Sequence, residues 1–386
     1  MSHRFARIVL LLANFVAGLA ILAPTGMLPE LAAGLGVSIT AAGLLVTAGA
    51  VILCIGSPLM VWATSRIDRR LLFAGTLAVV GAGNLASAFA PDYAALLALR
   101  ILIATFAALV TPQVASTMAL IVPAAERGAA IAFVFLGFTL AVAAGLPLVT
   151  FLAASAGWQA VFAFTGVAAL ANAALAFMAL PPGVRGAAIS LESWTAIARN
   201  RTILLLLALT VVQVSAQFLV FTYLGPLLAR LANAGSETIA VCFAVVGVTG
   251  FAGNLVAARL VTTLQPFGTS LVALLVMLAG LLVFSIGAGA LAAMAAGIAV
   301  WGLGFAAINS MQQARLVAVK PDLSSASVAL NTSSIYVGQA IGSALGGFLL
   351  AHDLPRALGY GAVVLMTASL GVLALTWEKP AATQAA

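Results

Sequence analysis

Charge is what this 386-residue chain has least of: 6% of its residues are Asp, Glu, Lys or Arg, against 64% that are hydrophobic. Soluble globular domains carry about 25% charged residues, so a chain this poor in them cannot cover a water-facing surface. Cysteine is nearly absent too. Cys54 and Cys242 fall within apolar runs in opposite halves, which leaves neither a disulfide framework nor a thiolate metal site. Lysine occurs only at Lys320 and Lys379, and neither follows a glycine, so the phosphate loop of an ATP-driven pump is missing. The two histidines, His3 and His352, stand alone at a terminus and in a loop, which supplies no base or ligand set for a membrane enzyme. No enzyme, cofactor or metal is expected. Rings of charge and a carbonyl-filter motif are missing as well, which argues against a channel. The net charge of +7 comes from basic residues scattered in ones to threes between apolar runs, a pattern that excludes a nucleic-acid patch and suits a lipid bilayer.

Long apolar runs are what the chain does have. Crossing roughly 30 Å of hydrocarbon takes about 20 residues. Windows of that length give twelve spans, at about 8–28, 40–63, 71–90, 93–120, 128–153, 158–180, 202–229, 237–261, 268–288, 290–314, 325–350 and 357–377. Only Gly287, Gly289 and small residues separate spans nine and ten, the weakest boundary. Arg4 and Arg7 ahead of an apolar run look like a secretory signal, but the run is long and continues through Pro24, Pro29 and Glu30, so it is read as span one. An even number of spans puts both termini on one side. Thirteen of the basic residues fall on that side, against Arg230 and Arg356 opposite, so it is expected to be cytoplasmic.

Residues 181–201 form the longest polar stretch, with six spans on either side. The expected fold class is an all-α membrane protein with twelve transmembrane helices in two six-helix bundles, 1–180 and 202–386, joined by a cytoplasmic linker at 181–201. Such six-plus-six plans belong to carriers with a substrate site near the midplane between the halves. Faint internal echoes agree, since Gly56 to Arg70 after span two and Gly253 to Pro266 after span eight hold equivalent positions.

The nine carboxylates all fall at the ends of spans or between them, whereas Arg100 lies inside span four. A charge at the hydrocarbon centre costs about 2.5–3.5 kcal/mol on insertion scales, which makes such a residue a functional candidate. Arg100 sits about 10 Å deep, at ~1.5 Å per residue from Tyr93, so a structural reading is open too: the side chain snorkels and pairs with Asp92 or a carbonyl.

Several segments carry a family resemblance over nearly the whole chain. Gly56-Ser57-Pro58-Leu59 through Arg66-Ile67-Asp68-Arg69-Arg70 is similar to the cytoplasmic loop motif of the major facilitator superfamily, with Ser65 where that family has an aspartate and Asp68 where it has a glycine. Leu99-Arg100-Ile101 resembles its embedded arginine motif. Gly137, Gly145-Leu146-Pro147 and Gly157-Trp158 resemble the span-five motif of export-type members, with Leu148 and Val149 replacing two glycines. Phe221 to Pro226 and Ala329-Leu330-Asn331 to Gly346-Gly347 are similar to spans seven and eleven of the twelve-helix drug:proton antiporters, in the arabinose-efflux-permease-like and chloramphenicol-efflux branch. The glutamate common in span one of that branch is missing from Gly18-Leu19-Ala20-Ile21-Leu22. Glu30 or Asp92 could take over proton coupling, Arg100 could couple by another route, or coupling is absent.

The resemblance implies that spans one, four, seven and ten line a cavity, and the polar side chains fit that plan. Asn14 lies in span one, Arg100 and Gln113 in span four, Gln213, Gln217 and Tyr223 in span seven, Asn309 and Gln313 in span ten, and Asn331 and Tyr336 in span eleven. Gln213 and Gln217 share a helix face, as do Asn309 and Gln313. Such residues also glue helices together, at about 0.6 kcal/mol each. Gly56, Arg66, Asp68, Arg69, Arg70, Gly137, Gly145 and Pro147 are the conformational candidates: the arginines dock on the next cytoplasmic helix end or only set topology, and the glycines and Pro147 allow close packing and a bend.

The expected activity is alternating-access export of a small, neutral or weakly anionic organic compound or drug by a monomeric inner-membrane carrier, with protons as counter-substrate. The alternative is a facilitative carrier or uptake symporter for a sugar or nucleoside. A functional Arg100 predicts that Arg100→Ala inserts normally and loses transport in proteoliposomes; unchanged transport would leave the residue a structural role only.

Overall fold

Hydrocarbon offers no water to a free N–H or C=O, so spanning segments either close every backbone bond within a helix or join a closed barrel. The computed structural model takes the helical route; it describes residues 3–64, 66–123, 126–185, 191–320 and 323–377, and all regular structure among them is helical. In chain order the elements are α1 (His3–Gly26), α2 (Leu28–Leu35), α3 (Ile39–Ala63), α4 (Arg69–Ser87), α5 (Tyr93–Ile121), α6 (Arg127–Leu140), a π turn (Ala141–Gly145), α7 (Leu146–Ala156), α8 (Trp158–Ala179), α9 (Leu191–Ala198), α10 (Arg201–Phe221), α11 (Leu224–Ala232), α12 (Ser236–Ile286), α13 (Leu291–Val319), α14 (Ser324–Ala351) and α15 (Pro355–Leu375).

Eleven of these runs are long and apolar enough to cross a membrane. The twelfth span is hidden in α12, whose 51 residues would reach more than twice the hydrocarbon thickness if straight. The chain turns back at Gln265, where φ 59 and ψ 168 leave the helical region just ahead of Pro266. Spans eight and nine therefore meet with almost no loop, where sequence suggested one of several residues. Proline explains the site, because it disfavours helical geometry in the residue before it. The weak boundary between spans nine and ten is real: Gly287 ends α12, and Gly289 turns the chain at φ +114.

Local signals set the other ends. Ser38, Asp92 and Asn200 cap α3, α5 and α10 by accepting from Ala41, Ala95 and Ile203 backbone N–H groups at 3.1, 2.8 and 3.0 Å. Span one and span seven break alike. α1 gives way to the short α2, which ends at Gly36 with φ 64; α10 gives way to the short α11, which ends at Asn233 with φ 51. This shared break is a clear internal repeat.

α1 and α3 to α8 pack together as one bundle, and α10 to α15 as the other. The chain ends share one face, here the terminal face; the opposite one is the distal face. Between bundles, α3 packs on α14, α12 packs on the π turn and α7, and α2 and α1 meet α11. On span five these contacts favour the distal half, so the seam is shut on that side.

Small residues make the closest approaches. Gly137 of α6 lies against the backbone of Leu11 and Phe15 in α1, with its added Cβ position 2.9 Å from Phe15 N. Gly145 faces the Leu19 side chain, and a π turn precedes Pro147, with Leu146 N bonding Ala141 O. Gly137→Val is predicted to overpack α1 against α6 by about 1–3 kcal/mol or more, read as a lowered unfolding temperature in detergent, whereas Gly75→Ala, with open space at its Cβ position, is neutral.

Candidate functional site

The break in span seven places Tyr223 where both bundles meet. Its hydroxyl donates to Ser343 O of α14 at 3.0 Å, and the neighbouring Thr222 and Ser343 hydroxyls bond at 2.8 Å. The ring fills a notch made by Gly346 and Gly347 of α14 and, across the seam, Gly43 of α3. A Cβ on Gly43 would stand 2.7 Å from Tyr223 Cε1 and 2.8 Å from Cζ. Beside it Thr40 Oγ1 donates to Gly347 O at 3.4 Å. An aromatic knob from one bundle thus closes the distal face against a glycine of the other.

Below this knob, α10 and α13 oppose two stripes of period four. Distally, Phe221 packs against Trp301 and Phe305, with ring centroids 6.2 and 5.4 Å apart, and against Phe243 at 5.7 Å. Next come the amides: Gln213 Nε2 donates to Asn309 Oδ1 at 3.1 Å, and Gln217 Nε2 donates to Gln213 Oε1. Nearer the terminal face Thr210 donates to Asn331 Oδ1 at 2.7 Å, Gln312 Nε2 donates to Leu206 O at 3.0 Å, and Arg315 donates to Gln312 Oε1 and Thr376. Within the second bundle this ladder grades from aromatic through amide to cation. Gln313 stands one turn from Asn309 and is half-buried; Tyr336 is buried on α14. Thr210 and the aromatic wall were not among the sequence candidates, although the spacing of Trp301, Phe305 and Asn309 was a readable signal.

The candidates of the first bundle do not join this ladder. Asn14 links three spans, donating to Val134 O at 3.2 Å and accepting from Thr111 Oγ1 at 2.9 Å. Gln113 Oε1 accepts from Ser116 at 3.1 Å while its Nε2 is buried without a partner. Arg100 is 2% exposed: Nη2 donates to Ile21 O at 3.3 Å, and the cation lies 5.9 Å from the Phe162 ring centroid. It neither snorkels nor meets Asp92, which is occupied as the cap of α5. Two further guanidinium groups among the described residues are buried in the protein, Arg69 and Arg315, at 3% and 8% exposed. Helices α4 and α13 start earlier or run further than hydropathy windows suggested, and this takes both arginines inside.

At the terminal face the loop motif holds the start of the linker. Asp68 caps α4 through Arg70 N at 2.8 Å, its other oxygen accepts from Gly183 N, and Arg69 N donates to Val184 O at 2.9 Å. Partial burial would raise the Asp68 carboxyl, but the N–H groups of Gly183, Arg70 and Leu71 and the charge of Arg185 outweigh it and hold the group below the ordinary range. Arg70 stacks 4.0 Å from the Phe177 ring centroid, Arg66 is exposed, and a Cβ added on Gly56 would stand 3.4 Å from Ala108 Cβ. Ser65 lies outside the described residues. A separate apolar crevice of about 300 Å³ opens beside the π turn, between Leu136, Thr139, Leu140, Ala143, Val248 and Phe251.

Comparison with known proteins agrees with this architecture. The model of the Major Facilitator Superfamily matches residues 10–326. The chain is 30% identical over 380 residues to the inner membrane transport protein YdhP of Escherichia coli (strain K12), covering 97% of this chain and 95% of that one. It is 25% identical over 373 residues to a probable sugar efflux transporter of Mannheimia succiniciproducens, covering 97% and 92%. Among solved structures, the D-xylose-proton symporter superposes with a TM-score of 0.77 over 99% of both chains at 17% identity, a likeness of fold.

The gate geometry predicts that Gly43→Val pushes Tyr223 out of its notch and raises the reactivity of a distal-face cysteine probe severalfold. Tyr223→Phe, which loses one buried hydrogen bond worth about 1 kcal/mol, should raise it about fivefold or less.

Proposed function

Because the chain belongs to the major facilitator superfamily, we propose that it is an alternating-access secondary transporter that exports a small organic compound in exchange for protons. The protein is a multi-pass membrane transporter and not an enzyme. The carrying observation is the amide ladder of Gln213, Gln217 and Asn309, which lies beneath a distal closure and is bonded largely side chain to side chain. Amides that satisfy one another can exchange those bonds for a solute at little net cost. The aromatic wall of Phe221, Trp301 and Phe305 favours a compound with an apolar face, and the lack of a described carboxylate in the ladder disfavours a cation.

Export is supported by the probable sugar efflux transporter among the relatives, and by the span-five motif with its π turn. Residues 1–180 and 202–386 would move as the two rocking units, with 181–201 as their link. In this reading the terminal face is cytoplasmic, the membrane is the bacterial inner membrane, a monomer suffices, and the distal-closed arrangement is the inward-facing state. A facilitative or uptake carrier for a sugar or nucleoside is the second reading.

A ligand found by thermal shift in detergent should show counterflow in proteoliposomes and be driven outward by an imposed pH gradient. Gln213→Ala and Asn309→Ala are predicted to lower transport about tenfold, a loss near 1.4 kcal/mol, with insertion unchanged. Cells that accumulate no less of any compound, yet take up a metabolite faster, would decide for the second reading.

A further inference from the structure

Glu30 stands apart from the other described carboxylates. Asp68 and Asp92 cap helices, Glu126 pairs with Arg7, Asp353 pairs with Arg230, and Glu237 is exposed. Glu30 alone among them holds a buried oxygen, Oε2, without a partner. It sits on α2, the short helix that packs against α11 across the distal seam. The residue as a whole is only half-buried, so it remains within reach of the distal solution.

We propose that Glu30 is the proton-binding group of the distal gate: it takes a proton from the distal solution as α2 closes on α11, and returns it to that side when they part. This rests on the alternating-access reading above. No covalent bond changes; a proton passes from water to a carboxylate oxygen and back. A carboxylate with one oxygen buried away from any donor is costlier to ionise, whereas the protonated acid carries no charge to desolvate.

Apart from the N-terminal turn of α2, in which Glu30 itself lies, no described charged side chain bonds the carboxylate. Of the elements packed on α2, α8 has no titratable group; α1 has His3, Arg4 and Arg7 at the far end, and α3 has Cys54 several turns away. α11 has Arg230, held by Asp353, and just before it stands Tyr223, bonded to Ser343. Arg100 of α5 reaches Ile21 O on α1 through Nη2, nine residues before Glu30. Burial accordingly raises the Glu30 carboxyl above its ordinary value, with its own backbone N–H opposing. The sign follows: protonation favours the closed gate, and that preference is lost as pH rises through the raised value. Because this proton leaves by the side it entered, it sets gate occupancy without being counted in transport stoichiometry.

The test uses full-length protein in nanodiscs, with Cys54 and Cys242 replaced by alanine and spin labels at Ala33→Cys and Ala234→Cys. Between about pH 8 and about pH 5 the distance distribution should move toward the short, closed population, with a midpoint above the usual glutamate value. Glu30→Gln should stay closed at every pH, and Glu30→Ala should lose the pH response. A response unchanged in Glu30→Gln, or none in the parent, overturns the assignment. Failure of proton-driven export in the parent protein would instead overturn the antiport reading, and the distance measurement judges Glu30 either way.

Discussion

In hydrocarbon a backbone group that leaves the helix must find its partner inside the protein, and the architecture follows from how few such departures there are. At the end of α1, Thr150 Oγ1 donates to Gly26 O at 2.9 Å. In span five the π turn gives Leu146 N a bond to Ala141 O. At the Gln265 reversal, Thr269 and Ser270 hydroxyls donate to Gln265 O and Pro266 O at 2.9 and 2.7 Å. Two of the departures, the end of α1 and the π turn, lie on the seam between bundles. The residues that interrupt the helices are thus among those on which movement of one bundle against the other would act.

The same economy separates rigid from movable contacts. Inside the bundles, polar side chains tie helix to helix, as Asn14 ties α1 to α5 and α6, and as Thr210 and Gln312 join α10 to α13 and α14. Across the seam the contacts are mostly small-residue packing: Gly43 under Tyr223, Gly247 on Ala143, and one weak bond from Thr40 to Gly347 at 3.4 Å. Small residues let backbones approach without interlocking side chains, so such a seam closes well and opens without breaking a polar network. Dense bonding within and sparse bonding between is what rocking units require.

Much of this was legible beforehand. Hydropathy runs gave the spans, and the glycines of span five gave its close packing. Pairs four residues apart marked one face of α10, and Gln213 and Asn309 do meet. Legibility failed where three-dimensional proximity decides. Nothing local told that Asp68 would hold Gly183 across more than a hundred residues, or that Arg69 and Arg315 would be buried while Arg66 stays exposed. The arginines of the loop motif read in sequence as docking on the next cytoplasmic helix end or only setting topology; Arg70 stacks on Phe177 near the end of α8, and Asp68 and the Arg69 backbone hold the linker.

Composition and periodicity by themselves determined the solvent, the helical class and the number of crossings, because these depend on transfer free energies summed along the chain. Which polar groups face one another was decided only by the packing of helices distant in sequence. A side chain's partner depends on helix rotation and tilt, and these are set by neighbours such as Gly43 and Gly347 that leave no mark on the hydropathy of the segment they position.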